Sequence, residues 1–254
     1  MRENGITRRK WNALAGGLAL SRLYGQDAAG DGANRLSARA GAGSAGSPTA
    51  GLHSPGLRAD RDALLYVPES SAKFERAPLV VSLHGASRGA ERGISLLQSL
   101  SDEHGFLLLA PATARGTWDI INGAGGPDAK FINRSLARTF ELRKIDPARI
   151  AMAGFPDGAS CSLSIVLANG DLFRAVLGFS PGFVVDLERV GKPPVFISHG
   201  TADQVLPIDE CSRRIVPQLK KEGYRVTYRE FEGKHELPPA AGSEAMRWFM
   251  EMPV

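Results

Sequence analysis

Residues 149–160 read Arg149-Ile150-Ala151-Met152-Ala153-Gly154-Phe155-Pro156-Asp157-Gly158-Ala159-Ser160. The nearly continuous apolar run predicts a strand over Arg149–Phe155, of the kind covered on both faces. Glycines on either side of a proline then mark a sharp turn, and Gly158–Asn169 follows as a helix. Gly170 stands where a C-cap glycine belongs.

Working outward, the same alternation recurs from Arg61 onward. Further strands are predicted over Ala63–Val67, Leu79–His84, Phe106–Ala110, Ala175–Ser180, Pro194–His199 and Arg225–Phe231. Helices are predicted over Ile94–His104, Lys130–Lys144, Glu210–Glu222 and Glu244–Met252, with Gly223 as a second C-cap glycine. Apolar residues at helical spacing support them, as at Phe131, Leu136 and Phe140. A βαβα order implies an α/β fold: a doubly wound, mostly parallel sheet with helices on both faces. No internal repeat or second domain is legible, so residues 59–254 read as one domain.

The 254 residues are 43% hydrophobic and 23% charged, enough for a core and too apolar for a disordered chain. The net charge of +4 is unevenly spread. Residues 1–58 hold 8 Lys/Arg against 3 Asp/Glu, whereas residues 59–254 hold 23 against 24. The body therefore carries no basic excess of the kind that binds nucleic acid. No apolar run is long enough for a membrane span. Arg8-Arg9, Trp11 and the apolar run Ala13–Leu20 make residues 1–25 resemble a bacterial twin-arginine export signal, which predicts a periplasmic or extracellular protein. Residues 26–58, rich in Gly, Ala and Ser, read as a flexible linker or a loosely attached edge. The two cysteines, Cys161 and Cys211, are either a pair, if export is real, or two buried free thiols. No Cys/His spacing suggests a metal, and no cofactor motif is present.

In open α/β sheets the working groups collect in loops after the carboxyl ends of strands. Four such loops stand out: His84-Gly85-Ala86-Ser87-Arg88-Gly89, Gly154-Phe155-Pro156-Asp157-Gly158, His199-Gly200-Thr201-Ala202-Asp203 and Glu232-Gly233-Lys234-His235-Glu236. In this order they resemble the α/β-hydrolase superfamily over about residues 60–252, in the branch of secreted phospholipase/carboxylesterase and polyhydroxyalkanoate-depolymerase-like proteins. The resemblance implies acyl-ester hydrolysis by a Ser-Asp-His triad. It makes Asp203 the carboxylate, His235 the general base, and the N–H groups of Ala86 and Asp157 the oxyanion donors. An Asp in a turn is otherwise a cap for the next helix. His84 and His199, at strand ends, are expected to serve packing and local hydrogen bonds. The family's first loop is glycine-rich, whereas this one carries Ser87 and Arg88.

The nucleophile elbow should read Gly-x-Ser-x-Gly and instead reads Gly154-x-Pro156-x-Gly158. Pro156 has no nucleophilic atom. Its ring also fixes φ near −65°, whereas family members hold this residue at positive φ. The turn must therefore relax, and the N–H of Asp157 be re-aimed with it. Among Ser160, Cys161, Ser162, Ser180 and Ser87 as substitutes for the hydroxyl, Ser87 is the only one of geometric interest. Three readings follow: a pseudo-hydrolase that binds a small ester-like ligand, a serine hydrolase whose serine is altered in this copy, or a cofactor-free enzyme using His235 and Asp203 as a base. Thr117-Trp118-Asp119 either lines the cleft or packs beneath a loop, and Gly123–Gly126 reads as a mobile loop.

Overall fold

The computed structural model describes residues 32, 34–41, 43, 49–57, 61, 63–86, 89–122 and 126–253. The expected export signal lies outside them, as do Ser87 and most of the loop expected over Gly123–Gly126. The strands are β1 (Gly51–His53), β2 (Ala63–Val67), β3 (Ala77–Leu83), β4 (Leu107–Pro111), β5 (Ile145–Gly154), β6 (Ala175–Phe179), β7 (Val195–Gly200) and β8 (Val226–Phe231). They form one sheet in the order β1-β2-β4-β3-β5-β6-β7-β8. β1 and β2 run antiparallel to their neighbours, and every pairing from β4 to β8 is parallel.

Five helices cover the sheet: α1 (Ala90–His104), α2 (Pro127–Leu142), α3 (Asp157–Leu167), α4 (Ser212–Lys221) and α5 (Pro239–Met250). The twofold period of the strands divides the core between the two faces. Leu79, Val81, Leu107, Leu109 and Met152 pack with Phe131, Leu136, Leu163 and Ile215 of α2, α3 and α4. Val80, Leu108, Ala151 and Ala153 pack with Leu97 and Met246 of α1 and α5. This two-sided covering is why β3 and β4 read as nearly continuous apolar runs: every residue in both is buried.

The structure departs from the expectations at several places, among them the start of β5, which lies at Ile145 and not at Arg149. β1 was not foreseen, being three residues long with no apolar run. Helices α1 and α5 begin four and five residues earlier than expected, at Ala90 and Pro239, the latter suited to a first helical turn. Gly223, at φ 82°, is a left-handed residue after α4, but Gly170 is not a left-handed cap. α3 ends at Leu167, and a Cβ on Gly170 would lie 2.3 Å from the Val190 carbonyl oxygen, so glycine is needed there for space.

The segment expected to be a flexible linker is also anchored. Leu36 and Ala38 are buried in the core, 2% and 7% exposed. Their backbone is held by two asparagine side chains. Asn133 Oδ1 accepts the N–H groups of Ser37 and Ala38, both at 2.8 Å. Asn169 Oδ1 accepts the Leu36 N–H at 2.7 Å, while its Nδ2 donates to Asn34 O at 3.0 Å and Ile165 O at 2.7 Å. Arg35 and Arg39 both pair with Asp171. Asn169→Ala should cost about 2–3 kcal/mol, since it deletes three short hydrogen bonds and leaves buried backbone groups unpaired. Urea unfolding monitored by circular dichroism measures this, and a loss below about 0.5 kcal/mol would mean the strap adds nothing to stability.

Candidate active site

β3 and β5 are neighbours, but the chain leaves β3 toward β4 on one side and leaves β5 toward β6 on the other. Such a reversal opens a crevice beyond the carboxyl ends of the two strands. The loops entering it touch. A Cβ on Gly85 would sit 2.8 Å from Pro156 Cδ and 3.0 Å from Phe155 O, so only glycine lets the post-β3 loop pass so near the post-β5 turn.

Pro156 has φ −78° and ψ −40°, within the right-handed helical region. Its carbonyl accepts the N–H groups of Ala159 at 3.0 Å and Ser160 at 3.2 Å, so α3 begins as an ordinary helix. Among the described residues the only non-glycine at positive φ is Ser180, at 50°. Asp157 is the first residue of α3, and the geometry of a helix start leaves its N–H without an intrahelical acceptor. Its side chain is buried, 2% exposed, and Oδ2 accepts the Thr117 hydroxyl at 2.6 Å. Burial raises the Asp157 carboxyl above the ordinary carboxylate range, partly offset by the Thr117 hydrogen bond and by the charges of His235 and His84.

His84 and Trp118 support this turn from beneath. The Thr113 N–H donates to His84 Nε2 at 3.2 Å, which makes Nδ1 the protonated nitrogen donating to Gly85 O at 2.7 Å. Burial lowers the basicity of His84. Trp118 is fully buried and its Nε1–H donates to His84 O at 2.9 Å, so it packs beneath the loop and does not line the cleft. Asp119 and Asp128 exchange side chain-to-backbone hydrogen bonds at 2.7 Å, and Arg61 pairs with Asp128. Together these contacts fix the Thr117–Asp119 segment against α2 and α3.

On the far side of the crevice, β7 and β8 deliver Asp203 and His235. His235 Nδ1 lies 2.7 Å from Asp203 Oδ2, although 32 residues separate them. The ring packs beside Phe155, with centroids 4.9 Å apart. Asp203 Oδ1 accepts the N–H groups of Val205 and Leu206 at 2.9 and 2.8 Å. One oxygen thus closes the local turn, as an Asp in a loop commonly does, and the other faces histidine. Burial alone would raise this carboxyl. The hydrogen bonds from His199, His235 and Leu206, with the charge of His235, outweigh burial and hold it well below the usual carboxylate range.

That direction fixes the sign of a pH effect. A carboxyl whose folded value is depressed contributes stability above its unfolded value near about 3.9 and loses it as the pH falls toward the folded value. Asp203→Asn should therefore cost about 2 kcal/mol at pH 7, the scale of hydrogen bonds to a charged group, with the difference shrinking below about pH 4. Urea unfolding of both proteins at pH 7 and pH 3 tests this. An equal difference at the two pH values would exclude an ionised Asp203 as its source.

The crevice is a cleft of about 900 Å³. Its walls include Ala86, Phe155, Pro156, Asp157 and His235, with Leu96 and Leu100 of α1 and Leu237 before α5. Four of the five expected site residues, Ala86, Pro156, Asp157 and His235, therefore line one cavity, and Asp203 stands behind His235 as its hydrogen-bond partner. Four of the five candidate substitutes for a nucleophile lie elsewhere. Ser160, Cys161, Ser162 and Ser180 are each no more than 2% exposed and do not line the cleft. Ser160 Oγ already accepts the Gly182 N–H at 3.0 Å. Cys161 and Cys211 are free and buried, and burial raises the Cys161 thiol well above its ordinary value and pushes Cys211 up to about 12. Among the described residues, no group of three or more His, Cys, Asp and Glu is arranged to hold a metal, and no helix is long and apolar enough to cross a membrane.

The sequence alone did not reveal three contacts: His199 with Asp203, Thr117 with Asp157, and Trp118 with His84. Only the four-residue interval from His199 to Asp203 around a tight turn hinted at the first.

Residues 127–251 match the phospholipase/carboxylesterase family, a stretch that contains Pro156, Asp203 and His235 but not the post-β3 loop. No curated protein matches the sequence. Solved structures do resemble it. The esterase PE8 is 23% identical, with 79% of this chain and 99% of that one covered and a TM-score of 0.59. The S-formylglutathione hydrolase of Staphylococcus aureus is 15% identical, covering 81% and 99%, with a TM-score of 0.64. A Bacillus cereus carboxylesterase is 16% identical, covering 76% and 95%, with a TM-score of 0.58. With the mostly parallel eight-stranded sheet, these likenesses make the architecture a single-domain α/β-hydrolase fold.

Proposed function

We propose that this protein is a carboxylesterase-like α/β-hydrolase that binds a small ester-like ligand in the Pro156–His235 cleft and forms no acyl-enzyme. One observation carries the reading. A proline at φ −78° occupies the turn between β5 and α3, in the same cleft as a 2.7 Å His235–Asp203 pair. The pair is the acid–base half of an ester hydrolase, and Pro156 stands where the resemblance expects the serine that it would activate. Without that hydroxyl no covalent intermediate can form. In a serine protease, loss of the nucleophile costs about six decades in turnover, leaving only binding and oxyanion contributions.

The polar end of such a ligand belongs near the N–H groups of Ala86 and Asp157, and its apolar part along Leu96, Leu100 and Leu237. The Arg8-Arg9 leader supports a site of action outside the cytoplasm. Calorimetric titration with a short-chain p-nitrophenyl ester, followed by absorbance, tests the proposal. Binding heat is expected while p-nitrophenol appears at the buffer rate. Release well above that rate would overturn the non-covalent reading, and the absence of binding heat would overturn the ligand assignment.

A further inference from the structure

We propose that His199, backed by Ser212, is a positioning residue for the Asp203–His235 pair, holding the same carboxylate oxygen that His235 uses and dividing its charge. The inference rests on the reading of that pair as an acid–base unit and adds a third group to it. His199 is the penultimate residue of β7 and is fully buried, with its Nε2 3.3 Å from Asp203 Oδ2, and neither side chain of this contact is exposed.

The protonation of His199 follows from its partners. Nε2 lies 2.9 Å from the Leu206 carbonyl oxygen, which can only accept, so Nε2 carries a proton and donates it to Leu206 O, with Asp203 Oδ2 3.3 Å from the same nitrogen. In the neutral ring Nδ1 then accepts the Ser212 hydroxyl at 2.7 Å. Ser212 is the first residue of α4 and fully buried, so both ring nitrogens are tied to fixed elements. A chain of contacts runs from Ser212 through His199 and Asp203 to His235, with hydrogen bonds at its two ends and a buried 3.3 Å approach in the middle.

A buried N–H dipole 3.3 Å from Oδ2 draws on the charge of that oxygen, so His199 weakens the pull of Oδ2 on the His235 ring. The neighbouring titratable groups are Asp157, which feels the charge of His235, Cys211 beside Asp203, and Glu230, the cross-strand partner of His199. Lys234 and Glu236 flank His235 in the chain, and Glu236 Oε1 accepts the Lys234 N–H at 3.3 Å.

The test is nuclear magnetic resonance of the full chain labelled with ¹⁵N-histidine, its five histidines assigned by substitution. In the unsubstituted protein His199 should be the neutral Nε2–H tautomer, and an Nδ1–H tautomer would overturn the proposal without any variant. In His199→Phe the His235 Nδ1 proton should move downfield, because Oδ2 keeps a single imidazole donor. His199→Gln, which can restore an N–H donor, should move it back. A His235 signal indifferent to His199→Phe in a folded protein would also overturn the proposal. Absence of the hydrogen-bonded His235 Nδ1 proton from the unsubstituted protein would instead remove the acid–base pair itself, so the two failures are distinguishable.

Discussion

Pro156→Ser should raise hydrolysis of short p-nitrophenyl esters by at least about a thousandfold over the unsubstituted protein, a fraction of the six decades that a triad serine supplies. The expectation rests on what the substitution leaves in place. His235 and Asp203 are already paired, and Asp157 already begins a helix whose first N–H groups are unsatisfied from within. Gly85 already gives the post-β3 loop its close approach to residue 156. The gain stays below the full six decades because residue 156 must leave φ −78° for the left-handed region, a strain of about 1–3 kcal/mol. The variant should accordingly unfold more readily than the parent. Adding His235→Ala to it should return hydrolysis to the starting level. If Pro156→Ser folds and gains nothing, the cleft has lost more than its nucleophile.

Gly158→Ala should cost more than about 4 kcal/mol, a magnitude reserved for a named steric fault. A Cβ at residue 158 would lie 2.0 Å from Leu83 O, 2.6 Å from Leu83 C and 2.9 Å from His84 O. All three are backbone atoms at the end of β3, in the middle of the sheet, and no side chain can rotate aside. Gly154 is crowded in the same way, 2.2 Å from Gly158 C. Helix α3 therefore rests directly on the ends of β3 and β5, which places residue 156 in the crevice whatever its identity. Gly178→Ala is the matched control. Its Cβ would meet only the Leu163 side chain, at 3.4 and 3.5 Å, and the Pro181 ring at 3.7 Å, so it should change stability by less than about 1 kcal/mol. Urea unfolding of the three proteins gives both values. Equal losses for the two variants would remove the steric argument.

The two glycines flanking Pro156 also show how far the sequence could be read. They, with the apolar runs of β3 to β7, locate the turn because each depends on local pattern alone. The Asp203–His235 meeting was likewise legible, since one helix and one strand return the chain to the same edge of the sheet. His199 was expected to serve only packing and local bonds, because its reach to Asp203 depends on the turn closed by Val205 and Leu206, and no periodicity encodes that. Trp118 was ambiguous for a related reason: its partner is a backbone carbonyl at the end of another strand. The Leu36–Ala38 strap was missed because isolated apolar residues in a Gly- and Ser-rich stretch carry no period. What holds them is Asn133 and Asn169, whose side chains stand in for a sheet neighbour. β1, at three residues, is too short for any pattern to register.

The most direct test is intact-mass spectrometry of the parent and Pro156→Ser proteins after treatment with a fluorophosphonate, with the modified residue mapped by peptide sequencing. The parent should gain no mass, and the variant should gain one adduct on the serine introduced at position 156. Stoichiometric labelling of the parent, mapped to Ser87 or Ser160, would contradict the account.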